Sequence, residues 1–203
     1  MSANSARPPQ VRQAVGKVKA NPIGLPAQAT KEIVSRLNTD VSSLYVLFHQ
    51  YRKHYWVSDG PQYSEVHDLL ATHLAEADAD ASQIAERLVS LGGVPVSAPA
   101  RQAKAAYVKH EEEGVLWLRD MLAHDMAAEQ QVIVNLRAHL QAARELTDFG
   151  TEKLLKGVLE RAEVRAQNLE HLLDAETLDA ELLAPEAESN QAKPQSRVAK
   201  GGK

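Results

Sequence analysis

Four stretches of this 203-residue chain place apolar side chains three and four residues apart, and none alternates apolar with polar as a half-buried strand would. In the first, Ile33, Val34, Leu37, Val41, Leu44, Phe48, Tyr51 and Tyr55 predict a helix over about 30–57, with Thr30 as its N-cap. Gly60-Pro61 breaks the pattern, and Pro61 suits the first turn of a second helix. That helix carries Tyr63, Val66, Leu70, Leu74, Ala77, Ala81, Ile84, Leu88 and Leu91, and Gly92-Gly93 and Pro95 end it. Pro99 to Ala106 predicts one or two extra turns. Glu111-Glu112-Glu113 reads as the negative start of a third helix that runs to about Arg144. Asp148 caps a fourth, with Leu154, Leu155, Val158, Leu159, Ala162, Leu169, Leu172 and Leu173 on its stripe. Helices of ~27 residues span roughly 40 Å each. Four of them with a longer link in the middle predict an all-α four-helix bundle with a short extra helix in that link.

Charge divides the chain. Residues 1–31 hold Arg7, Arg12, Lys17, Lys19 and Lys31 and no acid, and residues 189–203 hold Lys193, Arg197, Lys200 and Lys203 and no acid. The body between them therefore keeps fourteen of the 23 basic residues against all 27 acids. Prolines and weak periodicity predict a basic mobile arm over 1–27, a bundle over 28–178 and a flexible tail over 179–203 that ends basic. Such ends suit a polyanion, and they equally serve solubility. Cysteine is absent, which excludes a disulfide framework and thiolate metal sites. No apolar run approaches the ~20 residues of a membrane span, and the N-terminus lacks the apolar core of a signal peptide. A cytoplasmic protein without a membrane partner is expected.

Lys53-His54-Tyr55-Trp56, Gly60, His67, Ala85-Glu86-Arg87 and Leu91-Gly92-Gly93-Val94-Pro95 together resemble the Dps miniferritins, the DNA-binding proteins from starved cells, over about residues 30–178. The resemblance implies a ferritin-like antiparallel bundle assembled as a hollow homododecamer. Such a shell oxidises ferrous iron, often with hydrogen peroxide, and stores the ferric mineral. Some members bind DNA without sequence preference through basic tails, which here offer Arg7, Arg12, Lys17, Lys19, Lys193, Arg197, Lys200 and Lys203.

The resemblance also implies a ferroxidase centre at Tyr55, His67, Ser82 and Glu86, of which His67 and Glu86 match the family's ligand types. Ala71 stands where a further carboxylate is common. Trp56 is either a packed aromatic or a neighbour of the iron that takes up stray oxidising equivalents. His54 is a candidate substitute ligand, although adjacent helical residues point about 100° apart. Tyr55 can bind ferric iron as a phenolate, and Asp78, on one face with Ser82 and Glu86, can reach through a bridging water. Lys53 can bring positive charge near the site. Zinc is a candidate competitor for iron. Asp148 and Glu152 either cap the last helix or line a pore that draws Fe²⁺ inward. His49, His73, His110, His124, His139 and His171 are read as solvated or hydrogen-bonded imidazoles.

One constraint is geometric. His67 and Glu86 share a predicted helix, and nineteen residues at 1.5 Å rise separate them by ~28 Å. Acting together, they must come from two chains packed antiparallel about a twofold axis that crosses the helix near Glu76 and Ala77. The Glu-x-x-His pair of an intra-bundle di-iron site is absent from the sequence. Two functions follow: an iron-oxidising and iron-storing cage, or a DNA-compacting shell with a degenerate or slow ferroxidase centre.

Overall fold

The computed structural model describes residues 10–174. Five helices are present and, among the described residues, no strand: α1 (Ala27–Val57), α2 (Tyr63–Ser90), α3 (Pro99–Ala105), α4 (Leu118–Glu145) and α5 (Phe149–Asp174). Helices α1 and α2 form one antiparallel hairpin and α4 and α5 another. The connection that carries α3 links the two hairpins and lays α3 against α1. Among the described residues no helix is long and apolar enough to cross a membrane.

The predicted stripes meet in one core. Ile33, Leu37, Leu44, Leu47 and Tyr51 of α1 face Leu70, Ile84 and Leu88 of α2, Leu122, Val132 and Leu136 of α4, and Leu155, Val158 and Leu169 of α5. Aliphatic side chains of this size each contribute about 1.5–3 kcal/mol when fully buried.

Three helix starts differ from the expectation. Helix α1 begins at Ala27 behind Pro26, whose fixed φ of −59° prepares the first turn. Thr30 lies inside that turn, and its hydroxyl donates back to the carbonyls of Pro26 and Ala27 at 3.0 Å. Helix α2 begins at Tyr63, so Pro61 belongs to the preceding turn, closed by Tyr63 N–H to the Gly60 carbonyl at 3.1 Å. Helix α4 begins only at Leu118. Gly114 sits at φ 144°, a conformation other residues avoid, and Glu111 is committed to partners on α1. Asp148 caps α5 as expected, accepting from the Thr151 N–H at 3.0 Å.

The predicted mobile arm is also revised. From residue 10 onward it lies against the bundle: Lys19 N–H donates to the Gly92 carbonyl at 3.0 Å, and Gln13 Nε2 reaches the same oxygen at 2.8 Å. Val18 and Leu25 pack on the core, and Asn21 ties its own turn through Leu25 and Ile23. Gly92 is needed there. Its φ is +86°, and a Cβ would stand 2.3 Å from the Lys19 carbonyl oxygen. Arg7 and the tail with Lys193, Arg197, Lys200 and Lys203 lie outside the described residues.

Candidate metal centre

The end of α1 and the start of α2 bring Tyr55 onto His67. Their rings stack with centroids 3.8 Å apart and 29° between planes, and the Tyr63 ring lies 4.8 Å from His67, tilted by 34°. His67 and Tyr55 are half-buried, and Trp56 beside them is 69% exposed. Asp78, Ser82 and Glu86 line the exposed side of α2. The arginine next to Glu86 is not its partner: Arg87 bonds Asp148 and Thr151 instead. Because α2 is one unbroken helix, His67 and Glu86 stand ~28 Å apart along it. Among the described residues no three His, Asp or Glu side chains gather closely enough within one chain to hold a metal ion.

His54 points elsewhere. It is fully buried, with Nδ1 2.8 Å from Asp125 and Nε2 2.8 Å from Glu111. The 100° step between neighbouring helical residues sends it into the bundle while Tyr55 faces His67, so His54 does not join His67 as a substitute ligand. Lys53 is likewise drawn away from His67. Its ammonium bonds the Glu111 carboxylate and the Glu112 carbonyl. His124 Nδ1 reaches the second Glu111 oxygen at 2.8 Å, and Gln50 links Asp125 to the Glu111 backbone N–H. Burial alone would raise the Glu111 pKa, but hydrogen bonds from Lys53, His124 and His54 outweigh it and bring it down to about 2. Burial likewise opposes charge on His54, and the hydrogen bonds and charges of Asp125 and Glu111 prevail and raise its pKa. Glu111 is therefore the anchor of the α3–α4 connection rather than a helix-start charge.

The two predicted pore acids are already paired. Asp148 is 2% exposed and meets Arg87 Nη2 at 2.6 Å in addition to capping α5. Glu152 accepts from Arg144 at 2.8 Å and from Lys156 at 2.7 Å, and those hydrogen bonds, led by Lys156, hold its carboxyl below the usual range. Within one protomer neither presents a bare carboxylate to a passing cation.

A family model described as a ferritin-like domain matches residues 34–178. A nutrient stress-induced DNA-binding protein of Synechococcus sp. is 34% identical over 166 residues, 82% of this chain and 94% of the relative. A DNA protection during starvation protein of Halobacterium salinarum is 34% identical over 168 residues, 82% of this chain and 92% of the relative. Among solved structures, an archaeal Dps homologue from Halobacterium salinarum superposes with a TM-score of 0.81 at 32% identity, covering 87% of this chain and 99% of that one. DpsC from Streptomyces coelicolor does so with a TM-score of 0.79 at 29% identity, covering 82% and 98%. The chain is a Dps-type miniferritin of the ferritin-like family.

In this miniferritin the exposed basic residues of the described arm are Arg12, Lys17 and Lys19. The sequence reading missed a buried polar network: Gln50, Tyr51, His73, Asp80, Asp125, Glu129 and Arg165 are each no more than 1% exposed. A signal existed. Asp80, Asp125, Glu129 and Arg165 stand in apolar register, three or four residues from Ala77, Leu122, Val132 and Leu169.

Proposed function

We propose that this miniferritin assembles as a dodecameric shell that oxidises Fe²⁺ between paired protomers and stores the ferric product inside. The observation that carries the reading is the half-exposed Tyr55–His67 stack beside exposed Trp56, with Glu86 one long helix span away on the same α2. An antiparallel copy would bring its Glu86 to this His67, giving two equivalent sites per dimer. His67 would supply a neutral nitrogen and Glu86 a carboxylate to the incoming ion, with Tyr55, Ser82 and Asp78 as secondary oxygen donors. Two ferrous ions would each give up one electron to hydrogen peroxide, or correspondingly to oxygen. Trp56 and Tyr55 stand where stray oxidising equivalents would first meet the chain. The protein's part is proximity, charge stabilisation and enclosure. Zinc, with similar N/O preferences, would compete for the same donors.

Anaerobic loading with Fe²⁺ followed by peroxide or oxygen tests this. A fast oxidation phase is expected in the parent and should fall at least about tenfold in His67→Ala and in Glu86→Ala, in line with losing a ligand or its support. An unchanged fast phase in both variants would remove the proposal.

Arg12, Lys17 and Lys19 support a second reading, compaction of DNA by the shell. Repeated over many protomers, basic ends give multivalent, salt-sensitive attraction to phosphates. A gel shift should weaken steeply with salt and vanish when residues 1–27 and 189–203 are deleted; persistence would acquit the arms.

A further inference from the structure

The docked arm sets its charges beside those of two helices. It carries three exposed cations, Arg12, Lys17 and Lys19; α1 adds exposed Lys31, and α3 adds exposed Arg101 and Lys104. The three segments are walls of one cleft of about 500 Å³, where Gly16 and Val18 of the arm meet Lys31 and Ser35 of α1 and Ala105 of α3. Lys17 stands between the two arm residues, Lys104 precedes Ala105, and Arg101 lies one turn before Lys104 on the same helix.

Acid is nearly absent from this side. Residues 10–31 and 91–110 contain none, and Glu32 is engaged by Arg36 at 2.9 Å. Among the described residues none of the six cations is paired with a carboxylate. Exposed cations elsewhere on the bundle are neutralised, Arg137 by Glu163, Arg144 and Lys156 by Glu152, and Arg161 by Asp80. Six like charges held on one side repel one another, and a polyanion relieves that repulsion. The sequence narrows which one. No Phe, Tyr or Trp occurs in residues 10–39 or 94–106, so the face offers no ring for the base stacking on which single-strand binding relies. A duplex instead presents a regular rail of phosphates and needs only fixed cations. The cations are fixed here because Lys19 N–H and Gln13 Nε2 anchor the arm to the Gly92 carbonyl.

We infer that the docked arm, α1 and α3 form one preformed face that binds the phosphate backbone of double-stranded DNA, with Lys31, Arg101 and Lys104 as contacts that the chain ends do not supply. This rests on the compaction reading above and moves its seat from free ends to a fixed surface. A surface already in place spares the ordering cost that a loose arm incurs on binding. Geometry therefore matters as well as charge.

The test follows binding of the full-length protein to a short mixed-sequence DNA duplex by fluorescence anisotropy, from about 50 to 200 mM salt. Arg101→Ser combined with Lys104→Ser removes two phosphate contacts outside both chain ends. The slope of log affinity on log salt should shrink by about two, so the double variant loses about tenfold less affinity than the parent across that range. Gly92→Ala keeps every cation but releases the arm, and it should weaken binding at each salt concentration. Arg137→Ser, which removes an exposed cation already paired with Glu163, should bind as the parent does. No binding by the parent at low salt would overturn the compaction reading and this inference together. A parent that binds, with the parental slope kept in the α3 double variant and parental affinity in Gly92→Ala, would overturn the fixed face alone and leave the free ends as the binding element. Tighter binding to phosphatidylserine vesicles than to the duplex would overturn the choice of DNA.

Discussion

At the scale of single residues, Glu111 shows how one carboxylate can fix a loop. Its two oxygens collect Lys53, His54 and His124, and its backbone N–H donates to Gln50 at 3.2 Å. With its pKa at about 2 in the fold against 4.5 for an ordinary glutamate, Glu111 binds fewer protons folded than unfolded between those values. Its contribution to stability is therefore full above about pH 4.5 and lost as the pH falls toward 2. Glu111→Gln should lower stability at neutral pH and flatten the acid limb in that window, as read by denaturant unfolding at a series of pH values. A variant whose pH profile parallels the parent's would show that Glu111 is not responsible. The same residue was misread in the sequence because three consecutive acids ahead of an apolar stripe look like a helix start. Only its partners on α1 and α4, distant in the chain, reveal the other role.

At the scale of elements, the four long helices were legible because their apolar periodicity is decided locally. Their faces were less so. In α4 the structure buries Asp125 and Glu129 and leaves the apolar Met126 only partly packed. A charged side chain in core register is invisible to an apolar count until its partner, here His54 or Arg165, is known. The Leu91-Gly92-Gly93 turn was legible as a helix stop, but its second task was not. It leaves room for the arm at Gly92 and for Val34 at Gly93, where a Cβ would come within 2.6 Å. Gly92→Ala should detach the arm, lower stability by about 1–2 kcal/mol and hasten proteolysis around residues 10–26. Proteolysis at the parental rate, with unchanged stability, would contradict the docking.

At the scale of the whole molecule, the function proposed above requires each chain to carry one half of two metal sites and to complete neither. Tyr55 and His67 would form one half at the α1–α2 turn, and Asp78, Ser82 and Glu86 would form the other along α2. The ~28 Å between His67 and Glu86 was legible from the rise of a single helix, whereas the pairing of Asp148 with Arg87 of α2 and of Glu152 with Arg144 of α4 was not, because those arginines lie on other helices; only Lys156, four residues from Glu152 on α5, was within reach of the spacing. Co-assembly of two inactive chains tests the division most directly. His67→Ala and Glu86→Ala chains are unfolded, mixed in equal amounts and refolded together, and the fast phase of Fe²⁺ oxidation is measured. If each site takes His67 from one protomer and Glu86 from its partner, half of the dimers are mixed and each regains one intact site, so the mixture recovers about a quarter of the parental fast phase. A mixture as inactive as either variant alone would contradict a centre shared between two chains.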